Sequence, residues 1–97
     1  MTKTPVIFRK YKDGEVVAIF PTIPGTQSYD CMCYHHIGQH GVTDQTIINV
    51  TKPCTPDEYK DLLEELVSIG YDDLIVRKKF TYNFMLERQK QMRERIG

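Results

Sequence analysis

Val6-Ile7-Phe8-Arg9-Lys10-Tyr11-Lys12-Asp13-Gly14-Glu15-Val16-Val17-Ala18-Ile19-Phe20 reads as two strands folded about Asp13-Gly14. β-Branched and aromatic residues fill both arms, and Asp-Gly is the pair favoured by a two-residue type I′ hairpin turn. Such a turn predicts Phe8 opposite Ile19, Ile7 opposite Phe20 and Lys12 opposite Glu15. Both faces of this hairpin keep apolar residues, so it belongs inside a larger sheet with helical cover. Pro21, then Pro24-Gly25, predict the end of its second strand.

Working outward, Tyr29–Ile37 alternates as a third strand, with Tyr29, Cys31, Cys33, His35 and Ile37 on one face and Asp30, Met32, Tyr34 and His36 on the other. Gly38-Gln39-His40-Gly41 reads as a loop, because glycine weakens either regular structure. Ile47, Ile48 and Val50 predict a fourth strand over Gln45–Thr51, closed by Pro53. Thr55-Pro56-Asp57-Glu58 carries the signature of a helix start: a capping threonine, proline at the first helical position and glutamate three residues on. Tyr59, Leu62, Leu63, Leu66 and Val67 then keep the spacing of a core-facing stripe, and Gly70 fits the position just past the helix end. Leu74–Phe80 reads as a fifth strand. A last helix runs from Tyr82 to about Arg95, with Met85, Gln89, Met92 and Ile96 along one side.

The expected fold is α+β: an antiparallel sheet of four or five strands, hairpin first, with one packed helix and a basic C-terminal helix. At 97 residues the chain is one domain, with a core over 5–80 and the helix over 82–96. A hydrophobic fraction of 40% with 27% charged residues is that of a globular chain rather than a disordered one. The longest apolar run is Val16–Phe20, far short of the roughly 20 residues a membrane helix needs. The N-terminus lacks the apolar segment of a signal peptide, so a cytosolic protein with no membrane partner is expected.

Thirteen basic and thirteen acidic side chains cancel, which removes any global argument for nucleic acid. Their placement is uneven. Between Thr55 and Val76 seven acids face one base, Lys60, whereas between Arg77 and Gly97 seven bases face Glu87 and Glu94. Arg77, Lys78, Lys79, Arg88 and Arg93 are therefore candidate phosphate contacts, with Tyr82 and Phe84 near enough in sequence to stack on bases; two solvated helix faces would look the same. The thin apolar side of the last helix, Met85, Met92 and Ile96, predicts self-association as a homodimer.

All three histidines and two of the three cysteines fall between Cys31 and Gly41. Cys31, Cys33 and His35, with Cys54 folding back, have the ligand types zinc prefers, but side chains on one strand face project in parallel and do not converge. No metal and no cofactor is expected, and the cysteines read as small core residues. His36 and His40 could act as acid and base in a hydrolase or nuclease. As a binding site, Gly38 and Gly41 would let the backbone approach a ligand while Gln39, His36, His40 and Tyr34 supply donors, acceptors and a ring. A tight connection whose polar groups satisfy nearby backbone is the plain alternative.

His36-Ile37-Gly38-Gln39-His40-Gly41, after Cys31 and Tyr34 and before Asp44, resembles a family of small proteins from bacterial phages, plasmids and conjugative elements. Phe8-Arg9, Ile19-Phe20-Pro21 and Thr51-Lys52-Pro53-Cys54-Thr55-Pro56-Asp57-Glu58-Tyr59 extend the likeness over roughly Val6 to Val76, while Cys33 and His35 depart from it. The resemblance implies an accessory protein of a mobile element and no particular activity. The expected function is non-enzymatic binding of a protein partner or small ligand, such as a nucleotide, at Tyr34, His36, Gly38, Gln39, His40 and Gly41; histidine-dependent hydrolysis is the alternative.

Overall fold

Tyr11 N donates to Glu15 O at 2.8 Å and Gly14 N donates to Tyr11 O at 2.9 Å, with Gly14 at φ 90°. The first turn is therefore a three-residue loop, Lys12-Asp13-Gly14, whose left-handed last position only glycine takes without strain. Asp13 Oδ1 accepts the Glu15 N–H at 2.9 Å and holds the loop. This differs from the two-residue turn expected from Asp-Gly. β1 (Thr4–Lys10) and β2 (Val16–Pro24) consequently pair as Ile7 opposite Ile19 and Phe8 opposite Ala18. One residue of register decides which side chains share a face. The observed pairing puts Val6, Phe8, Ala18 and Phe20 together on one side and Ile7, Val17 and Ile19 on the other.

The computed structural model describes residues 3–26, 30–35 and 39–96, the last two as backbone. β2 does not stop at Pro21. It continues to Pro24 because its ladder with β3 (Asp30–His35) shifts register between Phe20 and Pro24, the kind of break where a proline costs no ladder hydrogen bond. β4 (Gln39–Asp44) pairs antiparallel with β3, His40 opposite Tyr34 and Gln39 opposite His35. Gln39, His40 and Gly41 thus open a strand and not a loop. The strand expected over Gln45–Thr51 is instead a 3₁₀ turn, Gln45–Asn49, started by Asp44, whose carboxylate accepts the Thr46 N–H at 2.9 Å and its hydroxyl as well. Local side-chain capping wins over β-branched composition there, and among its residues only Ile47 is buried.

β5 (Lys52–Pro53) is a two-residue pairing with the end of β1, and β6 (Leu74–Arg77) pairs with its beginning in parallel. The sheet order is β4-β3-β2-β1, with β5 and β6 sharing the last edge. The fold is α+β, with two helices: α1 (Pro56–Ser68) and α2 (Tyr82–Ile96).

α1 begins as its sequence demands, with Glu58 Oε1 accepting the Thr55 N–H at 2.9 Å. It ends in a Schellman motif: Tyr71 N donates to Leu66 O and Gly70 N to Val67 O, with Gly70 at φ 121°. Leu62 and Leu66 bury against Val6, Phe8, Ala18, Phe20 and Tyr34, while Val67 falls off the stripe at 53% exposed. α2 lies against β2 with Arg88 innermost. Met85, Gln89 and Met92 are only half-buried at its flank.

Candidate functional site

Alternation along β3 and β4 sends neighbouring residues to opposite faces of the sheet, and this divides the expected site. Tyr34 and His40 face α1. His35 and Gln39, one residue away on each strand, face the other side. The grouping of Gln39 with His40 at one rim is thereby corrected: a carboxamide and an imidazole adjacent in an extended strand cannot converge on one small ligand. Gly41 sits opposite Cys33 within the ladder, where a Cβ would lie 3.4 Å from the Cys33 Sγ, so this glycine is part of a strand rather than of a free loop. His36 and Gly38 lie outside the described residues.

On the α1 side the geometry is well determined by packing. Tyr34 is 1% exposed and its hydroxyl donates to the Glu65 carboxylate of α1. The His40 ring stands edge-on to Tyr34, with centroids 4.8 Å apart at 75°. His40 Nε2 is 3.2 Å from the Tyr71 hydroxyl, and Tyr71 stacks on Phe20 at 5.1 Å. Tyr34, His40, Ile69, Gly70 and Tyr71 line a cleft of ≈ 500 Å³. The Schellman motif sets this wall, because it turns the chain back after Gly70 and delivers Tyr71 to the sheet.

On the opposite side Tyr11 and His35 lie nearly parallel, 5.9 Å between centroids and 16° between planes, with Tyr11 Oη 3.2 Å from His35 Nε2. Burial raises the Tyr11 phenol above its ordinary value, helped by Cys33, Glu15 and Asp13. These two residues, Lys12, Glu15 and Gln39 line a second hollow of ≈ 790 Å³.

The thiols are divided as well. Cys31 and Cys33 are buried with Ile7, Val17 and Ile19, whereas Cys54 packs at the margin of the α1 side. Burial pushes the Cys31 thiol up to about 12 and raises those of Cys33 and Cys54. At neutral pH they remain thiols, poor as nucleophiles or metal ligands. Among the described residues no three histidine, cysteine or acidic side chains gather as metal ligands.

Arg88 leaves the expected basic surface. It is 6% exposed and Nη1 donates to Pro21 O at 3.1 Å, beside the register shift in β2, so it holds α2 to the sheet. Lys90 and Arg93 are exposed on α2, and Arg77, Lys78 and Lys79 are exposed where β6 ends. No protein-family model matches the chain, and no curated protein and no solved structure matches it significantly. No helix of the described residues is long and apolar enough to cross a membrane.

Two of these residues escaped the sequence. Tyr71 follows Gly70, and an apolar residue at that position is part of the helix-ending motif, which is a usable signal. Glu65 borders the buried stripe between Leu62 and Leu66, but nothing local says that it meets a tyrosine 31 positions away.

Proposed function

We propose that the protein is a non-enzymatic binding protein, a cytosolic accessory of a mobile element, that takes a flat polar ring in the cleft beside His40. The ring belongs to a small ligand such as a nucleoside or nucleotide, or to a partner's side chain. The observation that carries this reading is the exposed His40 imidazole held between Tyr34 and the Tyr71 hydroxyl at the mouth of the cleft. The Tyr71 ring and the His40 imidazole give face and edge contacts to a planar group and offer hydrogen bonds at its rim, with buried Tyr34 backing the imidazole. Binding is favoured over catalysis because His40 is paired with phenols rather than with a carboxylate that would orient it as a base.

The test is a ¹H–¹⁵N titration of the full chain with a nucleoside and nucleotide panel. Shifts should concentrate at His40, Gly70 and Tyr71, and His40→Ala or Tyr71→Phe should weaken binding by roughly 1–3 kcal/mol per lost hydrogen bond. A panel that perturbs nothing there, or binding indifferent to both variants, overturns the reading.

Self-association through α2 belongs to the same proposal. Its solvent side carries Tyr82 at 69% and Leu86 at 43% exposure, one helical turn apart. Sedimentation at micromolar concentration should give a dimer that Leu86→Glu dissociates; a monomeric wild type refutes it.

A further inference from the structure

The sheet face away from α1 carries a site that owes nothing to the His40 cleft. Lys78 and Lys79 leave the end of β6 and border a hollow of ≈ 350 Å³ whose lining includes Arg9, Ile48 and Phe80 and, among the described residues, no carboxylate. Arg9 is the centre of its charge. Nε donates to Thr51 Oγ1 at 2.7 Å, and Nη2 donates to Thr51 O at 2.8 Å and to Ile48 O at 3.3 Å. The guanidinium is thus oriented by neutral acceptors, which leave its charge uncompensated. Its neighbour Lys10, by contrast, spends its charge on Glu58. An oriented guanidinium with its charge unspent is what a phosphate oxygen requires.

The apolar part of the hollow is equally informative. Phe80 is half-buried and Ile48 is 40% exposed, so a base can lie on apolar surface while its phosphate meets the cations. Asn49 forms a ridge between this hollow and the one that holds the parallel Tyr11 and His35 rings. Cations and rings therefore alternate along one face. α1 carries Asp57, Asp61 and Glu64 on the far side of the sheet, whereas on this side Asp13 and Glu15 border only the Tyr11–His35 hollow and leave the Arg9 hollow to its cations.

We propose that this face binds single-stranded nucleic acid, with phosphates on Arg9, Lys78 and Lys79 and bases against Phe80 and the Tyr11–His35 pair. Single strands are favoured over duplex because the rings sit in hollows that only an unstacked base can enter.

Fluorescence anisotropy of the full chain tests this with labelled 12-mers of single-stranded DNA and RNA, the same length of duplex, and polyphosphate as competitor. Both single strands should bind ahead of duplex, and the DNA and RNA arms together report whether the sugar matters. Neutralising three phosphates predicts a fall of roughly 20-fold between 50 and 200 mM salt. Lys78→Glu with Lys79→Glu, both exposed positions, should lose at least ~10-fold, Phe80→Leu about fivefold, and Lys60→Glu on α1 nothing. No single-strand binding at 50 mM salt, duplex bound as tightly, or polyphosphate or an acidic peptide displacing the strand at equal charge concentration would each overturn it.

Discussion

The two faces of the sheet are closed by different chemistry. On the α1 side the seal is apolar and bulky: Phe8 stacks on Tyr59 at 4.4 Å, Phe20 on Tyr71, and Leu62 and Leu66 fill the space between. On the other side the cluster is built from smaller residues, Ile7, Val17, Ile19, Cys31 and Cys33, under a 3₁₀ turn that contributes Ile47 and a helix whose innermost residue is an arginine. Buried apolar area supplies most of folding stability. The α1 face should therefore hold the fold, while the opposite face, with its exposed cations and shallow hollows, has surface left for contact.

The largest expected effect tests that division directly. Leu66 is wholly buried beneath a helix capped at both ends, so Leu66→Ala leaves a cavity that little can fill and should cost about 2–5 kcal/mol. Ile47→Ala, on a short turn that can settle inward, should fall at or below the low end of that range. Urea denaturation of both variants decides the matter; equal losses would mean that the two faces share the stability evenly.

Next in size is Arg88. Its guanidinium donates to the Pro21 carbonyl where the β2–β3 ladder changes register. Arg88→Met keeps much of the volume and removes the donor, leaving a buried acceptor short of a partner at a cost of roughly 1–3 kcal/mol. Amide exchange should rise in α2 while α1 keeps its protection. Loss of protection in both helices at once would show that the faces unfold as a unit.

What the sequence made legible follows the range of the interactions. α1 was readable from end to end because Thr55, Pro56, Glu58 and Gly70 act within a turn of their own positions. The first hairpin was readable in kind but not in register, since Asp13-Gly14 suits a two-residue and a three-residue turn and only the packing of Phe8 against α1 separates them. Gln45–Thr51 misled because isoleucines are scored for strand while Asp44, one residue upstream, caps a 3₁₀ turn. The site was half visible. Tyr34 and His40 do meet, but Gln39 cannot join them once residues 39–41 are extended, and Arg88 changed from surface contact to buried anchor because nothing local marks the carbonyl that it serves.

The smallest effect concerns adjacent residues of β1 that face opposite ways. Arg9 is held by neutral acceptors, whereas Lys10 pairs with Glu58, whose other oxygen accepts the Thr55 N–H. The hydrogen bond from Lys10, and then that from the Thr55 backbone, hold the Glu58 carboxyl at about 2, against 4.5 for the free side chain. A carboxyl depressed in the folded state contributes stability above its unfolded value and loses it as pH falls. The contribution of Glu58 is thus complete above pH 4.5 and disappears toward pH 2. Because the pair is solvent-accessible, salt should screen much of it. Thermal melts across this window at low salt should show the wild type converging on Glu58→Gln as acid is added, with a smaller gap at every pH in high salt. A gap that persisted to pH 2 would place the acid-sensitive contact elsewhere, whereas convergence assigns it to the α1 face, since among the described residues Arg9 has no carboxylate partner whose protonation could release it.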